Sequence, residues 1–118
     1  VKLEGEQALL RFHLSNVAQW RTAPLYEALV GRAHHERLAG ATVLSGIFGF
    51  VAPGPILGAR ADAVRVARPV VVEIVDEEAR LARFLESVAP MLAGQQVVTT
   101  LERAHVVRYR GGAGGPRP

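Results

Sequence analysis

Cysteine is missing from this sequence altogether. That excludes a disulfide framework, a thiolate metal site and catalysis by a thiol, and it fits a reducing compartment. Lysine is nearly missing too: Lys2 is the only one, and the arginines behind the formal charge of +3 are spread along the whole chain. Nucleic-acid binders gather basic residues on one face and interleave aromatics that stack on bases. With 6% aromatics and no basic cluster, the sequence argues against nucleic acid as a partner. Catalytic signatures are also lacking, since there is no Walker pattern, no HExxH, no GxSxG and no carboxylate pair spaced for acid–base work. The opening VKLEGE has no basic segment followed by an apolar run, so no signal peptide is expected and a cytoplasmic location follows.

Charge is absent from one long stretch, residues 38–59, between Arg37 and Arg60. A bilayer crossing needs about 20 apolar residues, and this stretch is long enough. It is interrupted, however, by Gly40, Gly46, Gly49, Gly54 and Gly58 and by Pro53 and Pro55. A lone helix so broken cannot satisfy its freed backbone groups in lipid. The stretch therefore reads as a helix stop, a strand and then a Gly/Pro-rich loop covering residues 49–68. Loops of roughly twenty residues are uncommon in compact domains unless they are functional or disordered, so a ligand or partner is expected there.

What is present is an ordinary globular composition, 49% apolar and 21% charged over 118 residues, enough for one domain with one core. Residues 8–14 alternate, with Leu10, Phe12 and Leu14 on one side of a strand and Leu9, Arg11 and His13 on the other. Residues 15–22 read as a loop, and Pro24 suits the first turn of a helix. Leu25, Leu29 and Ala33 recur at i, i+4 and i+8 in a helix expected over 25–38, with Gly40 near its C-cap. A second strand is expected over 41–48, and residues 63–67 suggest a short extension. The β-branched run at 70–75 reads as a central strand covered on most of both sides.

Asp76, Glu77 and Glu78 supply an N-cap and two carboxylates at the positive end of a second helix. That helix shows Leu81, Phe84, Leu85, Val88 and Leu92 on one stripe, and Pro90 should kink or end it. Residues 94–100 read as a turn with a short strand, 104–110 as the last strand, and 111–118 as a disordered Gly/Pro tail. The order β-α-β-loop-β-α-β is the split βαβ, ferredoxin-like arrangement. It is an α+β fold, with a four-stranded antiparallel sheet carrying two helices on one face in a single domain over residues 1–110. The helix-free face, with Leu9, Arg11 and His13, is a candidate for subunit contact.

Several segments, KLEGE at 2–6, PLYEA at 24–28, LAGATVL at 38–44, GIFGF at 46–50, PVVVEIVDEE at 69–78 and VRY at 107–109, resemble the bacterial family DUF190 in order and spacing. That family looks like a relative of the PII signal-transduction proteins, trimers of this fold that bind adenine nucleotides between subunits and grip targets with a long loop. The resemblance implies a non-enzymatic regulator. Gly40, Thr42, Gly46 and Gly49 would line an effector cleft, and Arg108 and Arg110 would hold phosphates as bidentate guanidinium forks. Phe50, Val51, Pro53, Pro55, Ile56 and Leu57 would form the partner loop. Family members are often encoded near a fluoride-channel protein, which points to a membrane transporter or channel as the partner. One departure is plain: PII carries a Gly-rich, Lys-containing phosphate loop where residues 92–100 here have one glycine and no lysine.

Two other functions stay open at this stage. A metal-binding trimer of the cation-tolerance kind would use His13 or His105, both placed by this reading on the helix-free face, with three copies of one histidine near an axis. A small ferredoxin-like enzyme would be a dimer. For Arg108 and Arg110 the alternative is a pair of structural ion pairs, to Glu73 or Glu102.

Overall fold

The computed structural model describes residues 3–58 and 67–110. In chain order the elements are β1 (Gly5–Ser15), β2 (Gln19–Trp20), β3 (Ala23–Pro24), α1 (Leu25–His35), β4 (Ala41–Ser45), β5 (Phe48–Gly49), β6 (Leu57–Gly58), β7 (Pro69–Asp76), α2 (Glu78–Leu92) and β8 (Val98–Val106). Four of the strands form one antiparallel sheet in the order β4-β7-β1-β8. This is the expected split βαβ sheet, with β4 and β8 as its two outer strands.

Alternation along β1 decides the layers. Ala8, Leu10, Phe12 and Leu14 are buried, as are Val70, Val72 and Ile74 on the neighbouring β7. Onto this face pack Leu25, Leu29 and Ala33 of α1 and Leu81, Phe84 and Val88 of α2. Phe12 meets Phe84 edge to face, with ring centroids 6.2 Å apart at 71°. Antiparallel partners share a face, so the register puts Leu9, Arg11 and His13 on the open side. With them lie Val71 and Glu73 of β7, Thr42 and Leu44 of β4, and Val98, Thr100 and Glu102 of β8.

Several boundaries differ from the sequence-based expectation. Helix α1 stops at His35 rather than Leu38, because Arg37, not Gly40, takes the left-handed position with φ 60°. The N–H of Leu38 donates to Ala33 O at 3.1 Å and that of Arg37 to His34 O at 3.1 Å, which is the Schellman arrangement. Strand β4 ends at Ser45, and the loop after it folds into the β5–β6 hairpin. Helix α2 runs two residues past Pro90, so the proline comes too late to end it early. Gly94, with φ 76°, then turns the chain into a single long β8. The expected extension at 63–67, except for Ala67, which is not in a strand, and the tail at 111–118 lie outside the described residues.

Asp76 does not cap α2 with its side chain; the cap position is Glu77, without a side-chain hydrogen bond. Asp76 is instead fully buried. Its Oδ1 accepts the Glu77 N–H at 2.7 Å and its Oδ2 the Ala39 N–H at 2.9 Å. Arg80 approaches Asp76 Oδ1 at 3.4 Å and donates through Nη2 to the carbonyls of Glu36 and Arg37, at 3.1 and 3.0 Å. Carbonyls left over at the C-terminus of α1 are thus satisfied by a cation from α2.

Candidate functional site

Three places carry the chemistry: the two outer edges of the sheet and a cleft at one end of it. Along the β4 edge, Gly40 and Thr42 are exposed, and Thr42 points to the open face opposite Glu73. At the other end of β4, the Gly46 N–H donates to Pro69 O at 2.7 Å, and a Cβ on Gly46 would stand 2.9 Å from Pro69 Cγ. Glycine is there because backbone must approach ring. Gly49 follows in β5, paired with Leu57. Six residues of extended chain separate Gly40 from Gly46, about 20 Å, so these four residues mark the two ends of one edge rather than a point.

Arg108 and Arg110 lie on the opposite edge, past the end of β8. The expected strand over 104–110 stops at Val106, so the two arginines are not strand neighbours sharing a face. Their segment is tied to the start of the chain by the Tyr109 N–H, which donates to Glu4 Oε2 at 3.1 Å. Both arginines are exposed. Neither is in an ion pair among the described residues, and the carboxylates once expected for them are taken. Arg11 Nε bonds Glu73 at 2.8 Å and Arg11 Nη1 bonds Glu102 at 2.6 Å. Hydrogen bonds to Glu73 and then Glu102 push the Arg11 pKa up. Across the sheet, three strand spacings of about 4.8 Å separate β4 from β8.

A cleft of about 440 Å³ opens at the hairpin end, between residues 15–18, 51–57 and 94–96. Gln95 Nε2 donates to Gln19 O at 2.7 Å, which fixes one wall. The hairpin tip is turned by Gly54 N–H to Val51 O at 2.7 Å and sits on Gln96; a Cβ at Gly54 would lie 2.5 Å from Gln96 Oε1. Among the described residues no charged side chain lines this cleft. Sequence reasoning missed Gln95 and Gln96, for which the glycines at 54 and 94 were the only signal.

The six residues expected to form a partner loop divide. Phe50 and Ile56 point outward, 63% and 66% exposed, and Pro53 is exposed at the tip, while Val51, Pro55 and Leu57 line the cleft. Ile47 and Phe48, at 78% and 70%, join the outward set. His13 and His105 do not share a face. His13 pairs with Val71 and Val98 on the open side, whereas His105 pairs with Glu6, on the helix-side parity of β1. His105 Nδ1 lies 3.1 Å from Glu6 Oε1. Among the described residues no group of three or more His, Asp or Glu side chains is arranged to hold a metal ion.

The model of the DUF190 family, described as an uncharacterized ACR, matches residues 7–106. The chain belongs to the DUF190 family. A UPF0166 protein of Aquifex aeolicus is 35% identical to this DUF190 chain over 102 residues, covering 86% of this chain and 94% of that one. Among solved structures, the nitrogen regulatory PII-like protein CPII of Thiomonas intermedia, bound to ADP, AMP and bicarbonate, superposes with TM-score 0.67 at 15% identity, covering 92% of this chain and 93% of CPII. A PII-like signaling protein from Thermus thermophilus gives TM-score 0.63 at 17% identity, covering 92% and 95%. The DUF190 chain therefore has the PII-like fold. None of its described helices is long and apolar enough to cross a membrane.

Proposed function

We propose that this DUF190 protein is a cytoplasmic, non-enzymatic regulator: a homotrimer that senses a small anionic effector, an adenine nucleotide, between subunits and meets a partner protein through the hairpin loop. One observation supports it above the rest. Gly40 and Thr42 sit at the start of one outer strand while Arg108 and Arg110 sit past the end of the other, at the same end of the sheet, with β7 and β1 between them. A single chain cannot close these around one ligand, whereas the β4 edge of one copy beside the β8 end of the next can. The fold neighbour bound to ADP and AMP supports the ligand class. Two uncommitted guanidinium groups suit a diphosphate or monophosphate, and the uncharged 92–100 segment offers no cation for a third phosphate.

Effector binding can shift the loop only through contacts that differ between loop states. In this reading the two loop states differ in the contacts made by the cleft wall of residues 51–57. A hundredfold population change needs about 2.7 kcal/mol, within reach of two charge-assisted hydrogen bonds. In this reading the partner is a membrane transporter or channel.

The test is a solution mass by light scattering together with melting temperatures in ADP, AMP, ATP and cyclic nucleotides. Three chains per particle and a rise in melting temperature with ADP or AMP, lost in the double variant Arg108→Ala/Arg110→Ala, are expected. A stable single chain, or a melting temperature unmoved by every nucleotide, overturns the reading.

A further inference from the structure

The described segments gathered at the hairpin end of the sheet share one property. Residues 13–24, 46–58, 67–71 and 93–101 contain no Asp and no Glu. The register brings them together: Ser15 pairs with Pro69, Ser45 with Val70 and His13 with Val98, and the cleft joins residues 15–18, 51–57 and 94–96. The nearest carboxylates along the chain are Glu27, in the first turn of α1, Glu73, Glu102 and Asp62, the last between Arg60 and Arg65 in the segment outside the described residues. At the opposite end stand Glu4, Glu6, Asp76, Glu77 and Glu78. Among the described residues, the carboxylates thus gather away from the hairpin end.

Two arginines stand among the described residues of this end. Arg21 is exposed in the β2–β3 turn, its guanidinium 5.0 Å from the ring of Trp20. Arg68 is fixed through its backbone, whose N–H donates to Asn16 Oδ1 at 2.9 Å and whose carbonyl accepts the Asn16 N–H at 3.0 Å. Neither guanidinium is in an ion pair among the described residues.

Beyond these arginines stands the hairpin, showing solvent four large apolar side chains: Ile47, Phe48, Phe50 and Ile56, 63% to 78% exposed. Exposed apolar groups set together mark an interaction site. The hairpin's side chains offer a partner no charge and no hydrogen-bonding group, since residues 46–58 contain only Gly, Ala, Pro, Val, Ile, Leu and Phe. A protein groove recognises its ligand through some polar fixing group as well as apolar anchors. A bilayer surface needs none: it accepts apolar side chains in its acyl boundary and attracts arginines to its anionic headgroups. Trp20 has the amphipathic ring enriched at that depth. Backbone groups of the tip outside the β5–β6 pairing keep the contact shallow, because they need the wet headgroup region.

We propose that the hairpin end is a docking surface for an anionic lipid bilayer, with Phe50 and Ile56 entering the acyl boundary and Arg21 and Arg68 facing the headgroups. This does not depend on the effector reading, and it places the bilayer that surrounds the proposed membrane partner, rather than a groove of that partner, at the exposed hairpin side chains. The test is co-sedimentation of the full chain with protein-free vesicles of phosphatidylcholine alone and of phosphatidylcholine with phosphatidylglycerol. Binding to the anionic vesicles is expected, at least tenfold tighter than to the zwitterionic ones. Phe50→Ser/Ile56→Ser should weaken it about a hundredfold, roughly tenfold for each large side chain withdrawn from lipid, while the melting temperature stays unchanged.

Adsorption that survives this double variant is charge attraction alone and overturns the proposal. So does equal binding to both vesicle types. Binding to native membranes that protein-free vesicles do not reproduce overturns it in favour of a protein groove. A failure here leaves nucleotide-dependent melting untouched, so the two readings fail separately.

Discussion

Asp76 Oδ2 holds the backbone N–H of Ala39 at 2.9 Å, so the last residue of β7 fixes the connection that leads from α1 into β4. Arg80 completes the joint from α2 by bonding the Glu36 and Arg37 carbonyls. Removing the carboxylate strands two backbone donors and a partly buried guanidinium together. Asp76→Ala is expected to cost about 3–5 kcal/mol, because it leaves a cation without its partner. Asp76→Asn, which keeps an acceptor, should cost about 1–2 kcal/mol. Urea unfolding measures both, and an alanine variant less than about 1 kcal/mol below wild type would show that the joint carries little.

Glu36 provides the pH prediction. Burial would raise its carboxyl pKa, but hydrogen bonds from Ser87 and from Arg32, the latter at 2.6 Å, outweigh that and hold it below the ordinary value of 4.5. A carboxyl depressed in the folded state contributes stability that is fully present above the unfolded pKa and lost as pH falls through the folded one. Stability should therefore fall as the pH drops below about 4.5, and Glu36→Gln should remove that part of the slope. Chemical denaturation at a series of pH values from neutral to 3 compares the two proteins, and parallel curves would count against the coupling.

The proposed site, divided between the β4 edge of one copy and the β8 end of the next in a trimer, makes a prediction about mixtures. Thr42→Arg on one chain and Arg108→Ala/Arg110→Ala on another should each abolish nucleotide binding when alone. Refolded together, a mixed trimer contains a seam built from two unaltered surfaces, and binding should return at a fraction of the wild-type stoichiometry. Isothermal titration with ADP reads this directly, and a mixture as inert as its parents would mean that the residues do not meet across a seam.

The hairpin depends on one glycine in particular. A Cβ at Gly58 would stand 2.6 Å from Phe48 Cδ1 and 2.8 Å from Ile47 O, and the second of these is backbone that cannot swing away. Gly58→Ala is expected to unpair β5 from β6 while leaving the core intact. Hydrogen exchange should quicken at residues 48–58 with less than about 0.5 kcal/mol change in global stability. Unchanged exchange there would show that the pairing tolerates the methyl group.

The face opposite the helices has Arg11 between Glu73 and Glu102 as its central charge group. Arg11→Met leaves two carboxylates near each other on a surface proposed to be covered. Expected is loss of the assembled mass at neutral pH and its return when Glu73→Gln/Glu102→Gln is added. Light scattering at matched concentrations follows both steps.

Alternation at 8–14, the valine run at 70–75 and the stripe from Leu81 through Val88 made the sheet and helices legible, because each buries one face against the same core. What stayed illegible depended on contacts far apart in sequence. Arg37 adopts the left-handed conformation that Gly40 was expected to supply because Leu38 must turn back onto the core, and no local pattern announces that. Asp76 looks like a helix cap until its partner 37 residues away is known. The strand limit at Val106, which removed the expected shared face of Arg108 and Arg110, is set by where β1 begins at Gly5. At the hairpin, apolar composition suggested contact, but only the register showed which acid-free segments stand beside it.

β8 lies at the rim of the sheet with nine residues in extended form, and Val98 and Leu101 on it are 47% and 46% exposed. A rim of that length, with no further strand paired to it among the described residues, is a template on which another polypeptide can add as a strand. Substitutions that prise the subunits apart should then yield not a well-behaved solitary chain but material lost to precipitation. Solubility and partnership in this protein would be two faces of one requirement.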